Sequence, residues 1–596
     1  MCGIHLIVRK TEAQIDCSLA LQQMISASGH RGPDGSGYKV LQWSAEQIWI
    51  GHNLLSISDN PDLSRQPMET ADGTCGIIFN GQICNHLEIR SMLRSAGVEF
   101  RSDSDTETLL YWLRQYGRKG LRQLRGMYAF VFWDSAKELL IMHRDGYGIK
   151  PFYYSRSRHY FIASSEPEAI IKSGLMPFAI DKQAIAYFLK YKFIPAPQSP
   201  WVGIKSLLPG EVVEYWESKP LHYIVQDVPR FPDISSLEEA LDVGFAEVIA
   251  AREPVALMLS GGIDSTLILT WCLKNGVEVV PYAIRFDPGL GGSNPDQQAV
   301  EFLIQKFQIQ VRWVEVGLAE MNELWNLPKR GSVLVADSAW ILTACIARRC
   351  KLDGIRIVLS GAGADEWFGG YRRHWYYHQW EKLNRFVPEK WQASLLRKMG
   401  NARSGALPKT DSVATLVWDY AVSGKLSTIL RKEPFLSTGH KPDMGSNLPA
   451  ALIWDQKQYL PNDVLLITDM ATMAFGVEGR FPFLHPAITG FADRFSAEVH
   501  LKTGRKWMLT ELLRPVLGRA FVERKKRGFG LPLSAFWLQP ENSDRVRQLV
   551  MRNQENLSQW FAPDELAKFL QKWKPEVMPQ ETLTLLLLSL WMEQHP

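Results

Sequence analysis

Hydrophobic and polar positions alternate in short bursts over the first two hundred residues. QIWIGHNLL (47–55), GTCGIIFNG (73–81), MYAFVFWD (127–134), ELLIMHR (138–144) and HYFIASS (159–165) alternate or run apolar, and Gly, Asn and Asp bound them. Their β-branched and aromatic content predicts strands. Helical spacing interrupts them near 16–29 and 105–116. The mixture predicts stacked sheets with helices outside rather than a parallel βαβ series. From about 193 to 235 the chain turns Pro-rich and irregular (FIPAPQSP, LLPGE, VPRFPD), which places a boundary there. The expected division is a first domain over 1–205, a linker over 206–235 and a second domain over 236–596.

Beyond the boundary the order is buried strand, loop and helix. PVALMLSGG (254–262) leads into a helix at 264–274, VEVVPYAIRF (277–286) is a second strand, and IRIVLSG (355–361) a third. That order predicts an open parallel sheet whose ligands sit beyond the carboxyl ends of its strands. From about 371 the pattern is mostly helical, and WFGGYRRHWYYHQW (367–380) reads either as a buried helix or as an aromatic binding wall.

Composition narrows the class. A chain of 596 residues exceeds one core, and 46% hydrophobic with 22% charged residues is ordinary for a globular protein. A net charge of +4 makes no case for nucleic acid or an anionic membrane as partner. The seven cysteines are scattered without CxxC spacing, which fits a reducing cytoplasm and argues against zinc or a disulfide framework. No apolar run approaches the ~20 residues that span a bilayer, and no signal-peptide pattern opens the chain. A cytoplasmic location is expected.

LSGGIDSTLI (259–268) follows one strand and opens a helix. Gly261 and Gly262 let backbone approach an anion closely, and the helix start supplies free N–H groups. Leu259, Ser260 and Ser265 complete the loop; Asp264 would repel phosphates unless a cation lay between, which predicts Mg²⁺. The SGGxDS pattern lacks the GK[ST] of the Walker loop and resembles the pyrophosphate loop of ATP pyrophosphatases. That resemblance implies ATP cleaved between its α and β phosphates, hence adenylation. LSGAGADEWFGG (359–370) ends a second strand of the same sheet, so Ser360, Gly361 and Asp365 fall beside the loop, with Asp365 able to share the metal. Lys506 in TGRKWML and Lys526 in VERKKRGFGLP are candidate cations for the charge that builds on the departing phosphates. Either lysine alone would pass for a solvated surface residue.

At the other end the chain reads MCGI. Removal of Met1 would leave Cys2 with a thiol and a free α-amine, so that one residue provides nucleophile and proton acceptor. HRGPDGSG (30–37), FNGQICN (79–85), SDTE (104–107), GMYAF (126–130) and RDGYGIKPFYY (144–154) follow in order. These resemble the glutamine amidotransferase domain of N-terminal-nucleophile type. Joined to SGGIDS, SGAGADEWFGGY, MAFGVEGRFPFL (473–484) and KKRGFGLP, they make the chain resemble glutamine-hydrolysing asparagine synthetases over nearly its whole length. The resemblance implies an N-terminal αββα sandwich of Ntn-hydrolase type and a C-terminal α/β ATP-pyrophosphatase domain. It implies glutamine hydrolysis through a Cys2 thioester, with Asn80 and Gly81 as oxyanion hole and Asp105 retained in the pocket. In the second domain it implies an acyl-adenylate attacked by an amine.

Three positions depart from that family. Where its members read HERLSI, with an Arg that holds the glutamine α-carboxylate, this chain reads HNLLSI, placing Leu54 there. The NGEIYN glutamate is Gln82. Losing the Arg removes a bidentate charge-assisted contact, a loss of about 2–5 kcal/mol. The third is Ala362, in SGAG where asparagine synthetases read SGEG or SGDG; the acid there is well placed to take the proton of attacking ammonia. β-Lactam synthetase and lasso-peptide cyclases vary at this place and close a ring with an internal amine. The paired losses predict an amide-bond synthetase whose amine is not ammonia, with a vestigial glutaminase. Its expected partners are a small-molecule or peptide carboxylate and, for a lasso-peptide cyclase, a precursor peptide and its leader protease. A working glutamine-dependent asparagine synthetase and a non-catalytic member are the alternatives.

Overall fold

The computed structural model describes residues 2–595 apart from 11, 13–14, 57–64, 218, 226–230, 232, 252, 291–294, 331–332, 388–425, 427–428, 431–446, 525–529 and 563. The N-terminal part stacks two six-stranded sheets. Its strands are β1 (Gly3–Lys10), β2 (Gly35–Gln42), β3 (Glu46–Leu54), β4 (Met68–Glu69), β5 (Cys75–Ile83) and β6 (Gly126–Asp134). There follow β7 (Leu139–Arg144), β8 (Tyr153–Arg156), β9 (Tyr160–Ser164), β10 (Ile204–Ser206), β11 (Glu211–Trp216) and β12 (Lys219–Ile224). One sheet runs β10-β8-β9-β1-β3-β2, the other β12-β11-β7-β6-β5-β4.

The near-continuous apolar strands are explained by burial on both faces. Along β1, Ile4, Leu6 and Val8 point between the sheets, while Ile7 packs outward with Leu21 and Met24 of the helix Ser18–Ala27. Along β5, Ile78 faces inward, while Ile77 and Phe79 pack outward against the helices His86–Ser95 and Asp105–Tyr116. The predicted αββα layering is the observed one.

The expected linker over 206–235 is corrected. EVVEYW forms β11, which pairs with β7 on one side and β12 on the other, and Val212, Val213 and Tyr215 are buried. Prolines on either side disguised a sandwich strand as irregular chain.

The second domain carries five parallel strands, β13 (Val255–Met258), β14 (Val279–Phe286), β15 (Arg312–Val316), β16 (Ile357–Leu359) and β17 (Glu478–Arg480). Their order is β15-β14-β13-β16-β17, so the direction of winding reverses between β13 and β16. Ligands of open α/β sheets sit in the crevice at such a switch point. The three expected strands are β13, β14 and β16; β15 and β17 join them. From Arg372 onward the aromatic segment lies in a helix, Arg372–Asn384.

The domains share polar contacts, some buried and some open to solvent. Arg125 pairs with Glu247 at 2.8 Å, and the Tyr147 hydroxyl lies 2.7 Å from Thr489 Oγ1. Arg356, at the start of the β16 segment, reaches Asp34 at 2.7 Å and the Ser56 carbonyl. Among the described residues no helix is long and apolar enough to cross a membrane.

Candidate functional site

The loops that follow β13 and β16 lie side by side at the switch point. Gly261 has φ 69°, a conformation that costs glycine little, and the helix Ile263–Lys274 starts directly after Gly262. Ser260 Oγ and Ser265 Oγ stand 3.2 Å apart, and Gly262 N–H donates to Ser260 Oγ at 3.3 Å. Gly361, in the second loop, approaches so closely that a Cβ there would sit 2.7 Å from Asp264 Cβ. Leu259 is turned into the core, so only its backbone faces the loop. Together the loops wall a cavity of about 400 Å³ that includes Ser260, Asp264, Ser360, Ala362 and Asp365.

Lys506 joins them from the far end of the sequence. Its Nζ donates to Asp264 at 2.6 and 2.7 Å and lies 2.7 Å from Asp365 Oδ1. Burial opposes its charge, yet the two carboxylates win and raise its pKa. Lys506 has a left-handed backbone (φ 55°), a conformation that costs a non-glycine residue on the order of 1 kcal/mol and that clusters at functional sites. A Cβ at Gly370 would overlap both Asp365 Oδ1 and Lys506 Cε, so this glycine makes the room. Lys526 lies outside the described residues.

Asp264 and Asp365 fit a magnesium ion as a partial ligand set. Mg²⁺ is commonly held by one or two carboxylates together with substrate phosphates. Among the described residues no group of three or more His, Cys, Asp or Glu is placed to hold a metal alone.

Several cavity residues carried no separate signal in sequence. Glu366 is buried, accepts from the Tyr371 hydroxyl at 2.6 Å and from Gly363 N–H at 3.1 Å, and burial pushes its carboxyl up to about 8. A π-helical stretch, Asp455–Val464, lies beside it, and such stretches recur at functional sites. Its Asp455 pairs with Arg373 at 2.8 Å and with His374 at 2.6 Å. Its Asp463 is buried within hydrogen-bonding reach of Asp337, and burial followed by their mutual repulsion raises the Asp463 carboxyl. Asp337 lines the cavity.

The second constellation lies in the sandwich. Cys2 immediately precedes β1, and its N–H donates to Asn80 Oδ1 at 2.9 Å. That fixes the amide orientation and leaves Asn80 Nδ2 buried without a partner. Gly81 has φ 146°, and a Cβ there would overlap the Met127 carbonyl. Asp105 opens a helix and accepts from Ile83 N–H at 2.9 Å; burial raises its carboxyl. Burial likewise raises the Cys2 thiol, against the pull of the chain's amino terminus. Leu54 is buried at the end of β3, and Gln82 Oε1 is buried without a partner. The structure therefore gathers Cys2, Asn80 and Gly81, and keeps Leu54 where the resemblance implies a cation. Arg31 ties the two sites, a residue visible in HRGPD but without an assigned task. Its Nε lies 3.4 Å from the Cys2 carbonyl, and its Nη2 lies 2.7 Å from Asp469 in the helix Leu465–Met473.

Comparison with known proteins agrees with this division. Residues 1–223 match the family model of a glutamine amidotransferase domain, and residues 236–593 match asparagine synthase. An asparagine synthetase (glutamine-hydrolyzing) 1 of Bacillus subtilis is 28% identical over 587 residues, covering 93% of this chain and 90% of that protein. Amidase chyE of Penicillium rubens is 24% identical over 640 residues, covering 91% of this chain and 90% of its own length. Amidase chry2 of Gibberella zeae is 25% identical over 427 residues, covering 62% of this chain and 59% of its own.

Proposed function

The chain belongs to the asparagine synthase family, whose amide-forming members are ATP-dependent C–N ligases, and from that premise we propose that it adenylates a carboxylate for attack by an amine carried on its own substrate. A macrolactam synthetase of the lasso-peptide cyclase type is the form this takes. The observation that carries the reading is the wall of the synthetase cavity away from the phosphate loop. Asp337, Ala339, Thr343, Val464, Ile467 and Thr468 line it with one carboxylate and two hydroxyls, while the arginines of the cavity, Arg372 and Arg505, belong to the segments that hold Gly370 and Lys506. Aspartate would bring a second carboxylate and an α-amine to that wall, where these six side chains offer that carboxylate hydroxyls but no charge-assisted partner. Asp337, beside Asp463 and Lys192, would give an amine there a hydrogen-bonding partner.

The reaction then divides along the cavity. Ser260, Gly261, Gly262 and Ser265, with Ser360 and Gly361 opposite, would cradle the nucleotide phosphates through backbone N–H groups and hydroxyls. Asp264 and Asp365 would hold Mg²⁺, which when bound neutralises charge on the α- and β-phosphates. Lys506 and Lys526 would stabilise the departing pyrophosphate. The amine on the Asp337 side would attack the activated carbonyl and pass a proton to the Asp337 carboxylate, forming the amide as the bond to AMP breaks. Ala362 fits this scheme, because an amine delivered by the substrate needs no acid at that place to receive ammonia. Two relatives named amidases accord with a family whose products extend beyond asparagine.

A second reading, amidation with ammonia from glutamine, draws on one observation. Asn80 Nδ2 is buried, unpartnered and beside Cys2, as an oxyanion donor would be. Pyrophosphate release from ATP separates the two. Turnover with a linear precursor peptide and no glutamine supports an internal amine; strict dependence on aspartate plus glutamine rejects it.

A further inference from the structure

Lys506 occupies the place between the two carboxylates assigned to the metal. Both Asp264 oxygens and one Asp365 oxygen are within 2.7 Å of its Nζ. The lysine is buried, as is Asp264, while Asp365 is partly open to the cavity. With its ammonium between the two carboxylates, Lys506 stands where an ion shared by them would have to sit. Mg²⁺ demands oxygens at about 2.0–2.1 Å in near-octahedral array, and Lys506 Cε and Nζ fill the approach.

We infer that Lys506 is an internal counter-cation that bars divalent metal from Asp264 and Asp365 until nucleotide phosphates draw the lysine away. Loading is therefore ordered: metal enters with ATP, in exchange for the ammonium. Three further observations agree. The carboxylate set is incomplete without phosphate oxygens, since no third acidic or imidazole ligand stands in the cluster among the described residues. Arg505, next in sequence, is anchored to the Gly370 carbonyl at 2.7 Å, so the segment is fixed while the Lys506 stem turns. Gly370 leaves the stem and Asp365 the room to lie side by side, which a Cβ would take. The exchange also keeps the charge balanced. Two carboxylates facing one ammonium carry a net charge of −1; ATP supplies the negative charge that lets Mg²⁺ join without expelling the lysine from the site. Lys506 then contacts phosphate as a point charge, a role lysine commonly has.

The inference rests on the assignment of Asp264 and Asp365 to the metal and is independent of which amine the enzyme uses. Mn²⁺ alone, without nucleotide, tests it by electron paramagnetic resonance of the free ion. The full-length wild type should bind Mn²⁺ at this site no more tightly than about 0.1 mM. Lys506→Met should bind it at least about tenfold more tightly, and Lys506→Arg, which keeps the charge, should behave as the wild type. Adding Asp365→Asn to Lys506→Met should abolish the gain. Equal Mn²⁺ affinity in wild type and Lys506→Met would overturn the inference, as would a gain that survives Asp365→Asn. If Lys506→Met does not fold, the wild type still decides, because a one-to-one site tighter than about 0.1 mM without nucleotide rejects the exchange. Turnover with peptide or with aspartate leaves this result untouched, so the two tests fail separately.

Discussion

Arg31 Nη2 lies 2.7 Å from Asp469 Oδ2, and both side chains are almost completely buried. This pair crosses from the amidotransferase domain to a synthetase helix that also lines the switch-point cavity through Ile467 and Thr468. Lys150 Nζ is 3.6 Å from the other Asp469 oxygen, and Glu166 is 3.3 Å from Arg31. Removing one member of a buried pair leaves an uncompensated charge, at a cost of about 3–5 kcal/mol. Arg31→Ala should therefore lower the thermal unfolding midpoint by on the order of 5 °C or more. Exchange of Arg31 and Asp469 together for apolar residues should not recover this cost in full, because the buried Lys150 then loses its ion-pair partner. Calorimetry on the single and double variants measures the difference.

Leu54 accounts for the state of the N-terminal pocket. Cys2, Asn80 and Gly81 are assembled, but no arginine stands at Leu54 to hold a glutamine α-carboxylate. The proposed function predicts little glutamate release from glutamine. Leu54→Arg restores a charge-assisted contact and should raise the kcat/KM for glutamine by at least about 30-fold. Cys2→Ala should abolish whatever release remains. Full glutaminase activity in the wild type, unaltered by Leu54→Arg, would favour the ammonia-dependent reading.

The amidotransferase domain should also weaken in acid. Burial lowers His5 to about 4, and His52 and His143 to about 3, against about 6.5 unfolded. His5 explains the cost: Nε2–H donates to Asn53 Oδ1, so Nδ1 accepts from the Ser164 hydroxyl and has no room for a proton. Between these values the unfolded chain binds more protons, so stability rises with pH. It should be lost as pH falls from about 6.5 to about 4, by about 1.4 kcal/mol per pH unit for each ring. Urea unfolding at pH 7.5 and 5 reads the loss, and His143→Leu should remove about a third of it. A flat dependence would mean that the rings accept protons in the folded state.

Sequence patterns placed the chemistry better than they placed the chain around it. LSGGIDS and LSGAGAD each end an apolar run, so the switch-point crevice could be read before any strand order was known. β17 (Glu478–Arg480) is polar and three residues long, and its place comes from parallel pairing with β16, while Glu478 and Arg480 pair with each other at 2.7 Å, which no period reveals. β11 was hidden by neighbouring prolines. Lys506 illustrates the limit most clearly. As one residue in TGRKWML it resembled a solvated lysine; its meaning comes from being 242 residues away from Asp264 in sequence and 2.7 Å away in space. Long-range electrostatic partners leave no local trace, because neither propensity nor periodicity encodes them.

The glycine that makes room for that lysine gives the sharpest test of the proposed ATP site. At Gly370 a Cβ would overlap Asp365 Oδ1 and Lys506 Cε, and the Gly370 carbonyl also anchors Arg505. Gly370→Ala should displace both charged groups while leaving the sheet and the amidotransferase sandwich intact. Loss of one preorganised charged group at such a site costs about 10²–10³ in rate. ATP–pyrophosphate exchange in Gly370→Ala should fall by at least about 10². Asp264→Ala should abolish it, since Asp264 is both a metal ligand in this scheme and the partner of Lys506. The far-UV spectrum and the unfolding of the N-terminal domain should be those of the wild type in each variant. Full exchange in Asp264→Ala would remove the nucleotide from this crevice altogether, and wild-type exchange in Gly370→Ala would show that Lys506 and Asp365 need not hold the positions seen here.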